Sequence, residues 1–224
     1  MRCEYPPPVG RIYEATWGRG FAALYDTAVR ATEEAGLREM RRRLLEGAGG
    51  RVLDVGAGTG ANIGLFGPQV EEIVFCEPDP HMAKRLRRKL SDSGAEGSVV
   101  EAAAESLPFE DASFETVVFT LVLCTVADPA AALSEAARVL RPGGRMLFIE
   151  HGRSEQPRLA RWQDRLHRPW HFLADGCNCN RDTVGAIEAS PLQVERVEPD
   201  MLPKALPIVK PLMRGEALAP ADVK

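Results

Sequence analysis

The sequence predicts an α/β fold in which a doubly wound, mostly parallel sheet carries helices on both faces. Two observations predict it. Between Val52 and Glu150, short apolar runs alternate with helical patterns, as successive βαβ units require. The first run empties into Gly56-Ala57-Gly58-Thr59-Gly60, whose glycines permit a tight turn and close approach of a ligand to the main chain.

The elements follow in order. After a proline-rich start, Phe21, Leu24, Tyr25 and Ala28 share one helical face, and Leu37, Met40, Leu44 and Leu45 another. Gly47, Gly49 and Gly50 end that helix. Val52 to Val55 is the first strand, and the glycine turn passes it into a helix. Ile73 to Cys76 is the second strand, followed by a helix from Pro80 to Leu90. Ser98 to Ala102 is a short third strand, and Phe114 to Leu121, β-branched and aromatic, a fourth. An alanine-rich helix, Pro129 to Leu140, stops at the turn Arg141-Pro142-Gly143-Gly144, and Arg145 to Glu150 is the fifth strand. Beyond His151 the pattern changes. Leu159 to Phe172 sets Trp162, Leu166, Trp170 and Phe172 among arginines, a helical insertion over the carboxyl edge of the sheet. Leu192 to Val197 and Val209 to Ala217 supply the last two strands, and 218–224 a frayed tail.

A chain of 224 residues suits one α/β domain with a full core. A net charge of −4 gives no global footprint for nucleic acid. The basic runs Lys84 to Lys89 and Arg38 to Arg43 are interleaved with apolar residues and read as solvated helix faces. No apolar stretch reaches the roughly 18 residues of a membrane span, and Met1 to Pro8 lacks an apolar signal core. The expectation is a cytoplasmic protein. Five scattered cysteines (Cys3, Cys76, Cys124, Cys177, Cys179) argue against a disulfide framework, and Cys76 and Cys124 read as small core residues.

The spacing of the glycines narrows the ligand. Nicotinamide-binding turns place the third glycine three residues after the second, opening a helix for a pyrophosphate. Here it comes after two, and Asp54 sits in the strand end. The stretch resembles motif I of the class I S-adenosylmethionine-dependent methyltransferases. That resemblance implies a Rossmann-like, seven-stranded sheet with an antiparallel C-terminal hairpin, S-adenosylmethionine as cofactor and S-adenosylhomocysteine as product. It implies that Asp54, Gly56, Ala57, Gly58, Thr59, Gly60 and Asn62 form the loop under the methionine portion. Glu77, ending the second strand ahead of Pro78, would hold the ribose hydroxyls, and Met82 would rest on the adenine. Ala103 to Phe109 resembles the adenine loop of quinone-type methyltransferases, with Ala103 where those often have aspartate. Ala104 and Glu105 would therefore flank the base, its amino group contacted by backbone or by Glu105. Thr120 and Leu121 would line the floor beside the methyl group. Residues 1–50 would form a helical lid, 51–150 the cofactor half and 151–217 the acceptor side of a single domain.

Further matches lie in Thr120 to Val126, Glu150-His151, Trp170-His171 and Asp175-Gly176-Cys177-Asn178. These resemble the methyltransferase-like branch that contains the animal alkyl thiol methyltransferases. Members of that branch carry an N-terminal membrane-anchoring segment; the N-terminus here lacks it, so membrane association does not carry over.

The resemblance implies a small lipophilic acceptor, with a thiol as the sharpest reading. Oxygen, nitrogen or carbon methylation of an aromatic or quinone-like metabolite competes with it, as does a cofactor-binding module without catalysis. A thiol must be deprotonated to act as nucleophile. His151, expected one residue past the fifth strand on the ligand edge, has an ordinary pKa suited to take that proton. Asp175 could be a base, orient His151 or His171, or cap the helix near Thr183. His167, His171, Cys177 and Cys179 include plausible zinc ligands, but Pro169 interrupts the helix that would align the histidines, and Cys-x-Cys lacks the usual gap. No metal is expected, and one cysteine would face the acceptor channel. Trp17, Phe21, Tyr25, Trp162, Trp170 and Phe172 as a set suggest an aromatic lid. Tyr25-Asp26 matches the place where related enzymes close an N-terminal helix. Oligomeric state is not encoded in any pattern here.

Overall fold

The computed structural model describes residues 29–174 and 176–221. The readings placed on Cys3, Trp17, Phe21, Leu24, Tyr25, Asp26, Ala28 and Asp175 lie outside the described residues.

Seven strands form one sheet in the order β3-β2-β1-β4-β5-β7-β6. They are β1 (Gly50–Val55), β2 (Val70–Cys76), β3 (Ser98–Val100), β4 (Phe114–Thr120), β5 (Leu140–His151), β6 (Gln193–Met201) and β7 (Pro211–Leu218). Strands β1 to β5 pair in parallel, while β7 runs antiparallel to both β5 and β6. The expected terminal hairpin is present. Sequence order reverses between β1 and β4, the place where such sheets open a crevice at their carboxyl edge.

A helical stretch at 29–32 and a π-helical turn at Glu33–Leu37 lead into α1 (Arg38–Leu45). Helices α2 (Pro80–Ser93) and α3 (Pro129–Val139) start alike, because Asp-Pro serves both ends of one problem. Asp79 and Asp128 accept the orphan amides of the first turn, and Pro80 and Pro129 need none. Gly94, left-handed at φ 67°, ends α2. Helices α4 (Pro157–Leu173) and α5 (Thr183–Glu188) complete the set. On one face Leu133, Ala136 and Val139 of α3 pack with Phe119, Phe148 and Ile187. On the other, Leu45 meets Val52, Val118 and Leu147, and Leu86 and Leu90 of α2 meet Phe75. Among the described residues, no helix is long and apolar enough to cross a membrane.

Three local expectations need correction. No helix follows the glycine loop; residues 58–64 are successive turns, because Gly60 and Gly64 take positive φ (86° and 73°) that α-helix excludes. Arg141 to Gly144 is not a separate turn but a bulge within β5, since Leu140 pairs with Phe114 and Arg145 already with Thr116. Helix α4 runs through Pro169 rather than stopping there.

Candidate functional site

The carboxyl ends of β1, β2, β4 and β5 deliver the site. At the end of β1 the glycines divide the work. A side chain on Gly56 would meet Val122 at 2.6 Å, and one on Gly60 would meet Ile63 at 2.5 Å and Leu86 at 2.9 Å. These two let the loop pack. Gly58, at φ 57°, has nothing among the described residues within 4 Å of a would-be Cβ and faces open space there.

Glu77, 5% exposed at the end of β2, ties the loop in place. Its carboxylate accepts from the Gly58 N–H at 2.8 Å and from the Asp79 N–H at 2.9 Å. A cavity of about 350 Å³ opens here. Gly56, Gly58, Glu77, Pro78, Met82, Ala104, Glu105 and Leu121 line it, eight of the residues singled out from sequence. Asp79, Val122, Thr125, Val126, Ala127 and Ala174 complete the wall. Glu105 accepts from the Ala127 and Asp128 amides, pinning the Ala103–Phe109 loop to the segment after β4. Among the remaining loop residues, Ala57 and Thr59 are buried beside the cavity rather than in its wall.

Asp54, Asn62 and Thr120 lie one layer below. The Asn62 amide donates to both Asp54 oxygens (3.0 and 3.1 Å) and to Thr120 Oγ1 (3.1 Å), while its own oxygen accepts from Arg41 Nη1 at 3.1 Å. Arg41 also pairs with Glu33 at 3.1 Å. Burial pushes the Asp54 carboxyl up to about 7 against the pull of Asn62 and Arg41. Arg41 is only 3% exposed, so the Arg38 to Arg43 run is not wholly a solvated face. Leu37, Arg41 and Leu45 recur every four residues and point inward together, and the guanidinium is carried in with them. Lys84 to Lys89 on α2 does remain solvated apart from Leu86.

After β4 the chain makes a strained turn, Leu121 taking φ 65° where non-glycine residues seldom go. Glu150, fully buried, holds it there by accepting from the Val122 N–H at 2.8 Å and the Cys124 N–H at 3.3 Å. Burial raises the Glu150 carboxyl to about 7.

A second cavity of about 350 Å³ lies on the other side of this turn and shares Leu121, Thr125 and Ala174 with the first. Its wall is mainly apolar, with Leu37, Leu173, Leu202, Leu206 and Val209, and Glu33, Arg41 and Lys204 at its polar margin. His151, Cys124, Cys177 and Trp170 also line it. His151 is the last residue of β5, paired with Leu212, not one beyond it. Burial lowers its pKa to about 4 although the carbonyls of Pro211 and Val209 pull the other way, so the ring is neutral at pH 7. Among the described residues His151 Nδ1 finds no hydrogen-bond partner, a buried polar atom beside an apolar space, and the buried Trp170 indole N–H faces the Cys177 sulfur.

Other expectations resolve differently. Cys76 is a core residue, but Cys124 faces this cavity with Cys177, so two cysteines do so rather than one. Cys179 packs elsewhere, against Ile208 and Val209. Because α4 continues through Pro169, His167 and His171 do lie side by side, 5.7 Å between ring centres and tilted by 46°, and His167 Nε2 bonds the Asn178 side chain at 2.6 Å. Among the described residues, no three His, Cys, Asp or Glu side chains gather to hold a metal. Asp182 caps α5. Among the described members of the aromatic set, Trp170 turns inward, while Trp162 (54%) and Phe172 (47%) are exposed on α4. The sequence reading met Glu150 and Thr125 only as members of family-matching stretches, and Arg41 only within a basic run, and gave none of them a place in the site.

Comparison with known proteins agrees with this geometry. Residues 53–148 match a family described as a methyltransferase domain. The human thiol S-methyltransferase TMT1A is 34% identical over 189 residues, spanning 81% of this chain and 77% of that protein. The ubiquinone/menaquinone biosynthesis C-methyltransferase UbiE of Ectopseudomonas mendocina (strain ymp) is 39% identical over 121 residues, 52% of this chain and 47% of that protein. Among solved structures, geranyl diphosphate methyltransferase in complex with S-adenosylmethionine superposes with a TM-score of 0.63 at 18% identity. That superposition covers 83% of this chain and 85% of the other, and shows the shared fold.

Proposed function

From the premise that this chain belongs to the S-adenosylmethionine-dependent methyltransferases, among relatives of the thiol S-methyltransferases, we propose that it methylates the sulfur of a small lipophilic thiol. The observation that carries the reading is the shared wall. A donor in the first cavity and an acceptor in the second meet at Leu121 and Thr125, with apolar side chains around the acceptor.

The residues of the first cavity fit the cofactor. The open space at Gly58 accepts a ligand where a side chain would stand, and Glu77 offers a carboxylate for ribose hydroxyls. Pro78, Met82, Ala104 and Glu105 provide an edge for the base. Asp54, with Ala57, Thr59, Gly60, Asn62 and Thr120, stiffens the floor from below rather than touching the ligand. When bound, S-adenosylmethionine supplies a methyl group on a sulfonium, already a strong electrophile. The protein's task is then alignment, exclusion of water and management of one proton.

His151 takes that proton in this reading. Its ring is neutral at pH 7 and, among the described residues, its Nδ1 has no partner beside the acceptor cavity. A thiolate formed next to it favours the imidazolium by about 1–3 pKa units. That narrows but does not close the gap to a thiol near pKa ~8.5, so assistance falls at the low end, about 10²-fold. The chain is one domain in this reading, with 51–150 holding cofactor and residues 29–41 and 151–217 enclosing the acceptor.

Turnover to S-adenosylhomocysteine with matched alkyl thiols, phenols and amines tests the proposal. Thiols should be the substrates. A panel in which phenols or amines react and thiols do not would overturn it.

A further inference from the structure

Two cysteines, Cys124 and Cys177, stand in the acceptor cavity, and methylation as described uses neither. Their backbones are tied together. The Asn178 N–H donates to the Cys124 carbonyl at 2.8 Å, and the Asn178 side chain donates to the same oxygen at 3.0 Å. Neighbouring stretches of backbone thus bring both thiols to the wall of one cavity, close enough for each to influence the ionisation of the other. At 1% and 7% exposed they are closed to bulk solvent, and the acceptor cavity is the way in.

Their surroundings separate the two roles of a dithiol. Cys177 is favoured as thiolate by Cys124, by the Trp170 indole N–H that faces it and by Arg181, against the opposing pull of burial and Glu150. Cys124 is disfavoured as thiolate by Cys177, by burial and by the nearby Glu150 carboxyl. One attacking thiolate beside one resolving thiol is the arrangement that thiol–disulfide exchange uses.

Resting on the thiol reading above, we propose that the acceptor cavity also takes the disulfide form of its acceptor, a small dialkyl disulfide, and reduces it with the Cys177–Cys124 pair. The Cys177 thiolate attacks one sulfur of R–S–S–R. A Cys177–S–SR bond forms as the R–S–S–R bond breaks, and the electron pair leaves on RS⁻. That thiolate is released at the Leu121 wall already deprotonated, with no base required. Cys124 then attacks the Cys177 sulfur, a Cys124–Cys177 disulfide forms, and the second RS⁻ leaves. The Cys124 proton goes to this departing sulfur or to solvent. In sum, two protein thiols supply two electrons and the disulfide becomes two thiolates; the Cys177 proton has passed to solvent before the attack, the Cys124 proton leaves in the second step, and an external small dithiol restores the pair.

The test uses the full chain with methyl-labelled S-adenosylmethionine and a dialkyl disulfide freed of thiol, without reductant. The expected result is a burst of methyl thioether, at most two per protein, that stops as two protein thiols disappear and resumes on adding a dithiol. Cys124→Ser should trap the acceptor, with a mass gain of one RS group on Cys177. Cys177→Ser should lose the disulfide-derived thioether, measured as a ratio to what the same variant makes from free thiol. If wild type methylates the free thiol but gives no burst from the disulfide and Cys124→Ser traps nothing, the dithiol proposal is overturned while thiol methylation stands. If the free thiol is not methylated either, the thiol reading fails, and the trapped mass on Cys124→Ser alone decides the exchange step.

Discussion

Replacing Glu77 with alanine removes one acceptor from two amides at once. The Gly58 N–H loses its partner at 2.8 Å and the Asp79 N–H its partner at 2.9 Å, both at the wall of the proposed cofactor cavity. A carboxylate has about four lone-pair sites, more than these amides use, so ribose hydroxyls can bond to it as well. Hydrogen bonds to a charged acceptor contribute about 1.5–3 kcal/mol, which weakens cofactor binding roughly ten- to a hundredfold when they are lost. Two routes feed that loss: direct contact with ribose, and a looser loop at Gly58. Calorimetric titration with S-adenosylhomocysteine and with its 2′-deoxyribose analogue separates them. If ribose contact matters, Glu77→Ala should weaken the natural ligand more than the analogue, which already lacks one partner. Equal losses for both ligands would refute ribose contact and leave Glu77 as a loop support only. No loss for either would refute the placement of the cofactor in this cavity.

Other consequences follow from neighbouring residues. Gly58→Val should abolish S-adenosylhomocysteine binding in the same titration, because its side chain enters the cavity and its backbone is strained at φ 57°, while thermal unfolding shows a folded protein with a lowered midpoint; unchanged affinity would contradict this. His151→Ala should slow an alkyl thiol about 10²-fold and a more acidic thiol much less, with cofactor affinity nearly intact; equal slowing of both thiols would argue for positioning instead of proton removal. Asp54, raised to about 7, binds its proton more tightly folded than unfolded, so its stabilising contribution is complete below about pH 4 and is lost as pH rises to about 7. Over roughly 3 pKa units this amounts to at most about 4 kcal/mol. Glu150 acts in the same direction and His151, with its lowered pKa, in the opposite one. Denaturant unfolding across that pH window should therefore fall less steeply for Asp54→Asn than for wild type, and identical slopes would show that Asp54 does not titrate as described.

The strand and helix alternation was legible because its signals are local. Apolar runs marked β1, β2, β4 and β5, and Asp-Pro marked the starts of α2 and α3. The wall of the proposed cofactor cavity draws on equally local signals: Gly58, Glu77 and Leu121 each follow closely on a strand end. What could not be read depends on distant partners. Gly56 and Gly60 look alike in sequence to Gly58, yet Val122 and Leu86 decide that they serve packing. Arg41 is one basic residue in a run of them until Asn62, 21 positions away, receives its guanidinium. The acceptor cavity draws on the α1 region, β5, α4 and the segment before β7, so no short pattern announces it. Pro169 misled because its missing amide was taken to end a helix that continues on either side of it.

The most direct test of the central claim is an intramolecular competition. A small lipophilic molecule bearing a thiol, a phenolic hydroxyl and an amine is incubated with the protein and S-adenosylmethionine, and the methylated position is read by tandem mass spectrometry. The account predicts methyl on sulfur, formed with one S-adenosylhomocysteine per product. Methyl on oxygen, nitrogen or ring carbon, with the thiol untouched, would contradict it.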